Sequence, residues 1–234
     1  MSNNNTNLTQ QNTLTQIETH YDEAKTKVNE RYYVDKNGLR QGICDCFDGK
    51  GQLEERYTFK NDELDGLYEL FYENDQVSER YTYKNDLRHG LYESFYENGQ
   101  LETKGTYKNG KLNGLFKKFN RDGDLIERCT YKNGKLNGLF ESFNEDEQTI
   151  EKCTFKDNKI NGLYKRFHEN GKLKVRCTYK NGLRQGLAET FHKNGKPEIK
   201  CTFKNDELDG LYELFNKDGE LIERSTYKNG IKIP

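Results

Sequence analysis

The chain has 234 residues, 32% apolar and 33% charged, too little aliphatic material for one large core. Its 38 basic and 39 acidic side chains nearly cancel, so no net field draws it to nucleic acid or to a membrane surface. The 16 Tyr and 13 Phe argue against disorder, because each ring can bury about 150–250 Å².

Residues 1–14 are Asn, Gln and Thr in low-complexity order and read as a disordered tail. They carry no basic segment followed by an apolar one, so they do not read as a signal peptide. No run approaches the roughly 18 apolar residues of a membrane-spanning helix. Six Cys without an export signal read as free thiols in a reducing compartment, and the expected location is cytoplasmic or at least intracellular. Over residues 15–31, Ile17, Tyr21, Ala24 and Val28 share one helical face, and Thr15 with Glu18 fits a capping box. This predicts a helix that caps the first edge of the periodic region beginning at residue 32, with a polar tail as the alternative.

Residues 32–234 are periodic. Gly42, Gly66, Gly90, Gly114, Gly138, Gly162, Gly186 and Gly210 lie 24 residues apart without insertion. A Phe follows each by five residues, from Phe47 to Phe215, and a Thr by sixteen, from Thr58 to Thr226. A fixed period of this size means stacked structural units. The block KNDELDGLYELF occurs at 60–71 and again at 204–215, six periods later. Within a unit, Asn98-Gly99 and Asn109-Gly110 both read as type I′ hairpin turns. The segments between turns are rich in Tyr, Phe, Thr and Leu, which favours strands. The predicted fold class is therefore all-β: an elongated single-layer array of antiparallel hairpins in eight 24-residue repeats.

Counting outward from the first turn sets a register. Glu93 faces Lys104, Glu69 faces Arg80, Glu141 faces Lys152, Glu189 faces Lys200 and Glu213 faces Arg224. Each such cross-strand pair contributes roughly 0.2–1 kcal/mol. Two units break the pattern, with Lys117 opposite Arg128 and Lys165 opposite Arg176. One face then collects Tyr92, Tyr96, Leu101, Tyr107 and Leu112, and is expected to be the more buried face or the contact surface. The other collects Leu91, Phe95, Thr106, Lys108 and the charge pairs. Cys129, Cys153, Cys177 and Cys201 recur about 9.5 Å apart, beyond the roughly 7 Å between Cα atoms that a disulfide tolerates.

The unit YKNGKLNGLFKKFNRDGDLIERC, residues 107–129, resembles the MORN repeat, in the shorter variant found in bacterial antitoxin-like proteins. The shared element is aromatic-Lys-Asn-Gly-x-x-x-Gly, as in Tyr107 to Gly114 and Tyr131 to Gly138. Phe116, Phe140 and Tyr164 replace the second Gly of the usual unit, and the chain has no Trp. The resemblance implies a twisted sheet of hairpins that serves as a binding or dimerisation scaffold. It also implies two narrower roles, an antitoxin or immunity protein and a peripheral module recruited by anionic lipid.

No catalytic, cofactor or metal site is expected. His20, His89, His168 and His192 read as surface residues, and the Cys44–Cys46 pair has no partner pair nearby. The glycines are single turn residues rather than a phosphate loop. The Lys row from Lys60 to Lys228 reads as edge protection, with no nucleic-acid partner expected. Two candidate surfaces remain. One is a protein-contact row of Tyr68, Tyr92, Phe116, Phe140, Tyr164 and Tyr212. The other is a basic cluster of Lys117, Lys118, Arg128, Lys165, Arg166 and Arg176, suited to an acidic partner or anionic lipid. The expected partner is a protein, and a second copy of the chain would serve through the aromatic face.

Overall fold

Two kinds of turn alternate along each period, and together they dictate a hairpin array. The second turn is the predicted type I′: Asn109 and Gly110 both have positive φ, 51° and 75°, and Asn133-Gly134 and Asn181-Gly182 do the same. The first turn differs from the prediction. In residues 72–76 only Asp75 has positive φ, with its N–H donating to the Tyr72 carbonyl and the Tyr72 N–H to that of Gln76. This is a three-residue loop with a bulge, and Gly99 and Gly123 hold the same left-handed position. Glu147 takes it in the one repeat that lacks a Gly or Asp there.

The computed structural model describes residues 13–234, in two units that divide after Gly99. The first contains β1 (Thr15–His20), β2 (Val28–Val34), β3 (Gln41–Phe47), β4 (Leu53–Lys60), β5 (Glu63–Phe71), β6 (Val77–Lys84) and β7 (Leu87–Phe95). Each strand pairs antiparallel with the next. The second contains β8 (Leu101–Lys108), β9 (Lys111–Leu112), β10 (Gly114–Phe119), β11 (Leu125–Lys132), β12 (Lys135–Phe143), β13 (Thr149–Lys156) and β14 (Lys159–Ile160). It continues with β15 (Gly162–Phe167), β16 (Leu173–Lys180), β17 (Leu183–Phe191), β18 (Pro197–Lys204), β19 (Glu207–Phe215), β20 (Leu221–Lys228) and β21 (Ile231–Ile233). Pairing is again antiparallel between neighbours, with β9 and β14 the short first pieces of strands interrupted at Asn113 and Asn161.

The predicted capping helix over residues 15–31 is not formed. That segment is β1, a tight turn, and the start of β2, with Ile17 opposite Tyr32 and Glu18 opposite Arg31. Thr15, Ile17 and Thr19 alternate with polar residues and are β-branched, so they suit a strand once β2 and β3 offer a ladder. Asp22 closes the turn by accepting the N–H groups of Thr26 and Lys27. The predicted disordered tail lies outside the described residues as far as residue 12.

The repeat glycine sits where one strand bulges against the preceding one. Gly138 has φ 118°, and a Cβ there would lie 3.2 Å from Cβ of Thr130; at Gly162, φ 114°, it would lie 2.6 Å from Thr154 Oγ1. Backbone and space both demand Gly at these positions, and Gly66, Gly90, Gly114 and Gly210 meet the Thr eight residues before them in the same way, whereas at Gly42 and Gly186 the space is open and positive φ alone asks for Gly. Repeats are also tied turn to turn. Asn170 Nδ2 donates to the Lys193 carbonyl and Asn194 Nδ2 to that of Lys217. On the opposite margin, Asp86 accepts from Leu64 N–H and Asn158 from Leu136 N–H.

Candidate functional site

The register places side chains on two distinct faces. The aromatic face alternates large and small residues in the second unit, so that Phe116 faces Cys129, Phe140 faces Cys153 and Tyr164 faces Cys177. Cys129 and Cys153 are buried, as are Cys177 and Cys201, and all four are free thiols. Burial pushes the Cys129 and Cys153 thiols up to about 11 and the Tyr164 hydroxyl up to about 12. In the first unit Tyr57, which faces buried Cys44 on one side, stacks on Tyr68 on the other, and Tyr81 stacks on Tyr92, with ring centres 5.4 and 4.9 Å apart.

The six residues of the predicted contact row all lie on this face and are half-buried. Phe116, Phe140, Tyr164 and Tyr212 pack edge-on against the aromatic ring 15 residues later, with centres 5.8–5.9 Å apart. The Tyr68 hydroxyl donates to Glu55 at 2.6 Å. These rings pack against one another along this face.

The predicted basic cluster does not form one patch. Lys117 and Arg128, and likewise Lys165 and Arg176, face each other as expected. Lys118 and Arg166 point to the opposite, aromatic face, where they stand across from Glu127 and Glu151. Adjacent residues on a strand alternate faces, so a cluster read along the sequence splits.

The charge face carries a feature that residue-by-residue pairing conceals. Across the second unit, neighbouring strands bring one residue each into a row: Lys104, Lys117, Arg128, Glu141, Lys152, Lys165, Arg176, Glu189, Lys200, Glu213 and Arg224. Cations outnumber carboxylates there by eight to three. In the first unit the same row alternates in sign: Glu18, Arg31, Asp45, Arg56, Glu69, Arg80 and Glu93. Glu69, Glu93, Glu141 and Glu189 are buried members of these rows. Glu141, 3% exposed, lies 2.8 Å from Lys152 and also accepts from Arg128. Burial works to raise its pKa, but the bonds from Arg128 and Lys152 prevail and hold its carboxyl below the usual range. Among the described residues, Lys117 and Lys165 have no such carboxylate within ion-pair distance.

Beside this row, on the same face, runs a line of exposed leucines: Leu115, Leu139, Leu163, Leu187 and Leu211, between 36% and 53% exposed. On its far side come exposed lysines, with Lys108 opposite Lys111, Lys132 opposite Lys135 and Lys156 opposite Lys159, while in the next two repeats Lys180 stands opposite Leu183 and Lys204 opposite Glu207. A cavity of about 200 Å³ opens between Leu139 and Leu163, bordered by Lys152, Lys165 and Thr154. The sequence pattern places a leucine of this row on the charge face but does not by itself single the row out as a contact surface. Counting by halves exposes the charge. Residues 1–99 carry 11 basic and 19 acidic side chains, and residues 100–234 carry 27 and 20, a separation that the near-zero total hides.

His168 and His192 have a structural duty. Their Nε2–H groups donate to the carbonyls of Phe191 and Phe215, one repeat on, at 2.8 and 3.1 Å. Among the described residues no group of three or more His, Cys, Asp or Glu side chains converges to hold a metal. No helix among them is long and apolar enough to cross a membrane.

The family model described as MORN repeat variant matches six segments, residues 64–85, 88–109, 112–133, 160–181, 184–205 and 208–229, more than half of the chain. The unmatched segments 40–61 and 136–157 are built from paired strands in the same way. A comparison with curated proteins finds no match.

Proposed function

The chain belongs to the MORN repeat variant family, whose repeats generally serve as protein- or membrane-interaction modules, and on that premise we propose that it is a non-enzymatic scaffold that binds a protein. The observation that carries this reading is the line of exposed leucines, five side chains at one-repeat intervals on a face with no covering layer among the described residues. Exposed apolar rows of this extent mark interaction surfaces. The half-buried aromatic row of the opposite face is the other candidate protein contact. The antitoxin role implied by the resemblance is the case in which the captured protein is a toxin.

The test is affinity capture with the intact chain and with Leu115→Ser/Leu139→Ser/Leu163→Ser. Loss of a captured protein from the folded variant supports the reading. Equal capture by both overturns the assignment to this face. The cation-rich row favours a second reading, attachment to anionic lipid. Flotation with phosphatidylserine vesicles at low salt tests it, and no co-flotation rejects it.

A further inference from the structure

We propose that the charge face of residues 100–234 is a dock for an acidic amphipathic α-helix of a partner protein. This deepens the scaffold reading and rests on it. Spacing along a strand sets the width of the dock. Arg128, Thr130 and Lys132 are alternate residues of β11 on one face, and Leu115 stands opposite Thr130. Successive same-face positions are about 6.7 Å apart, so the leucine line runs between two cationic lines about 13 Å apart, the far one strongest from Lys108 to Lys159 and reduced to Lys180 and Lys204 beyond it. An α-helix with its side chains is about 10–12 Å across. A helix laid along the leucines covers them with an apolar stripe, and acidic residues on both its flanks reach the two cationic lines.

Length and chemistry agree with that occupant. Five leucines at about 9.6 Å per repeat span about 38 Å, the length of roughly 25 helical residues. Two of the aromatic rings beside the charge row lie beneath its cations: Arg128 sits over Phe143 at 5.4 Å and Lys200 over Phe215 at 5.6 Å. Phe143 and Phe215 are thus not free platforms for stacked bases, and leucines between the cations have nothing to contact in a phosphate backbone. The first unit offers no equivalent, because its row alternates in sign. The charge of the second unit is itself the specificity element: Lys117 and Lys165 occupy positions where Glu69, Glu141, Glu189 and Glu213 stand in other repeats.

That equivalence supplies variants expected to fold. Lys117→Glu/Lys165→Glu installs the residue that other repeats already carry. The probe is a synthetic peptide of about 25 residues, with leucines along one helical face and glutamates on both flanks, compared with a scrambled peptide of the same composition. The intact chain is expected to bind the patterned peptide at least tenfold more tightly than the scrambled one, with a gain in helical circular dichroism. Affinity should fall at least tenfold in the double Glu variant, and at least tenfold as salt rises from about 50 to about 500 mM. Equal affinity for both peptides, or none for either, overturns the proposal. So does binding to phosphatidylserine vesicles without binding to the peptide, or occupation of the face by a second copy in sedimentation velocity. If the peptide fails while the leucine variant still loses a captured protein, the scaffold reading stands and the helix does not.

Discussion

Lys165→Glu should stabilise the protein, although it removes a lysine from a surface rich in partners for acids. Lys165 lies across from Lys152 on one side and Arg176 on the other, two like-charge contacts directly opposite in the ladder. Glu at this position turns both repulsions into attractions, as Glu141 achieves between Arg128 and Lys152. Each change falls within roughly 0.2–1 kcal/mol. Lys152 and Arg176 are about half exposed and already engage Glu141 and Glu189, so the lower half of that range applies. Taking about 0.4 kcal/mol for each of four changes gives a gain of about 1.5 kcal/mol, or about 3–6 °C in the thermal midpoint. The assay is thermal and urea unfolding of both proteins at low and high salt. The gain should shrink at high salt, because half-exposed pairs are screened. An unchanged or lowered midpoint at low salt would refute the assigned register or the claim that the like charges strain it.

The packing and the buried thiols make four further outcomes measurable. Gly162→Ala should lose about 2 kcal/mol or more in urea unfolding, and Thr154→Ala should restore only part of it, because φ 114° remains strained after the clash is relieved. Full rescue would show that space alone demands the glycine. The Cys129 and Cys153 thiols should resist iodoacetamide at mild pH until the sheet unfolds, and rapid native labelling would contradict their burial. Their folded pKa of about 11 exceeds the ordinary 9.0, so their contribution is intact below pH 9 and is lost as pH rises towards 11. Denaturation midpoints across that window, compared with Cys129→Ala/Cys153→Ala, would show it. His192→Ala should cost about 1 kcal/mol through the lost bond to the Phe215 carbonyl, with no response to added zinc in either protein.

Much of this architecture was legible in the sequence because its causes are local. A 24-residue spacing of glycines, Asn-Gly pairs at positive φ and the opposition of Glu to Lys or Arg each depend on residues close along the chain. The register counted from one turn holds in both units. The departures have non-local causes. Residues 15–31 carry a helical pattern and a strand pattern together, and the neighbouring strand decides between them. The basic cluster rests on proximity in sequence, whereas Lys117 and Lys118 lie on opposite faces. The leucine line was visible one residue at a time, but its place between two cationic lines emerges only when strands from five repeats are set side by side.

The Gly–Thr fit and the turn-to-turn bonds also make the chain divisible. Deleting residues 138–161 would join Asn137 to Gly162, whose Thr partner would become Thr130, and each bond that recurs at 24 residues could re-form with its equivalent. Recombination between repeats can therefore add or remove whole units without inventing a contact, in keeping with the identical blocks at 60–71 and 204–215. Each such event would lengthen or shorten the leucine line by about 9.6 Å, or about six residues of a docked helix. Repeat number becomes a heritable ruler, set in steps, for the length of ligand the surface accepts.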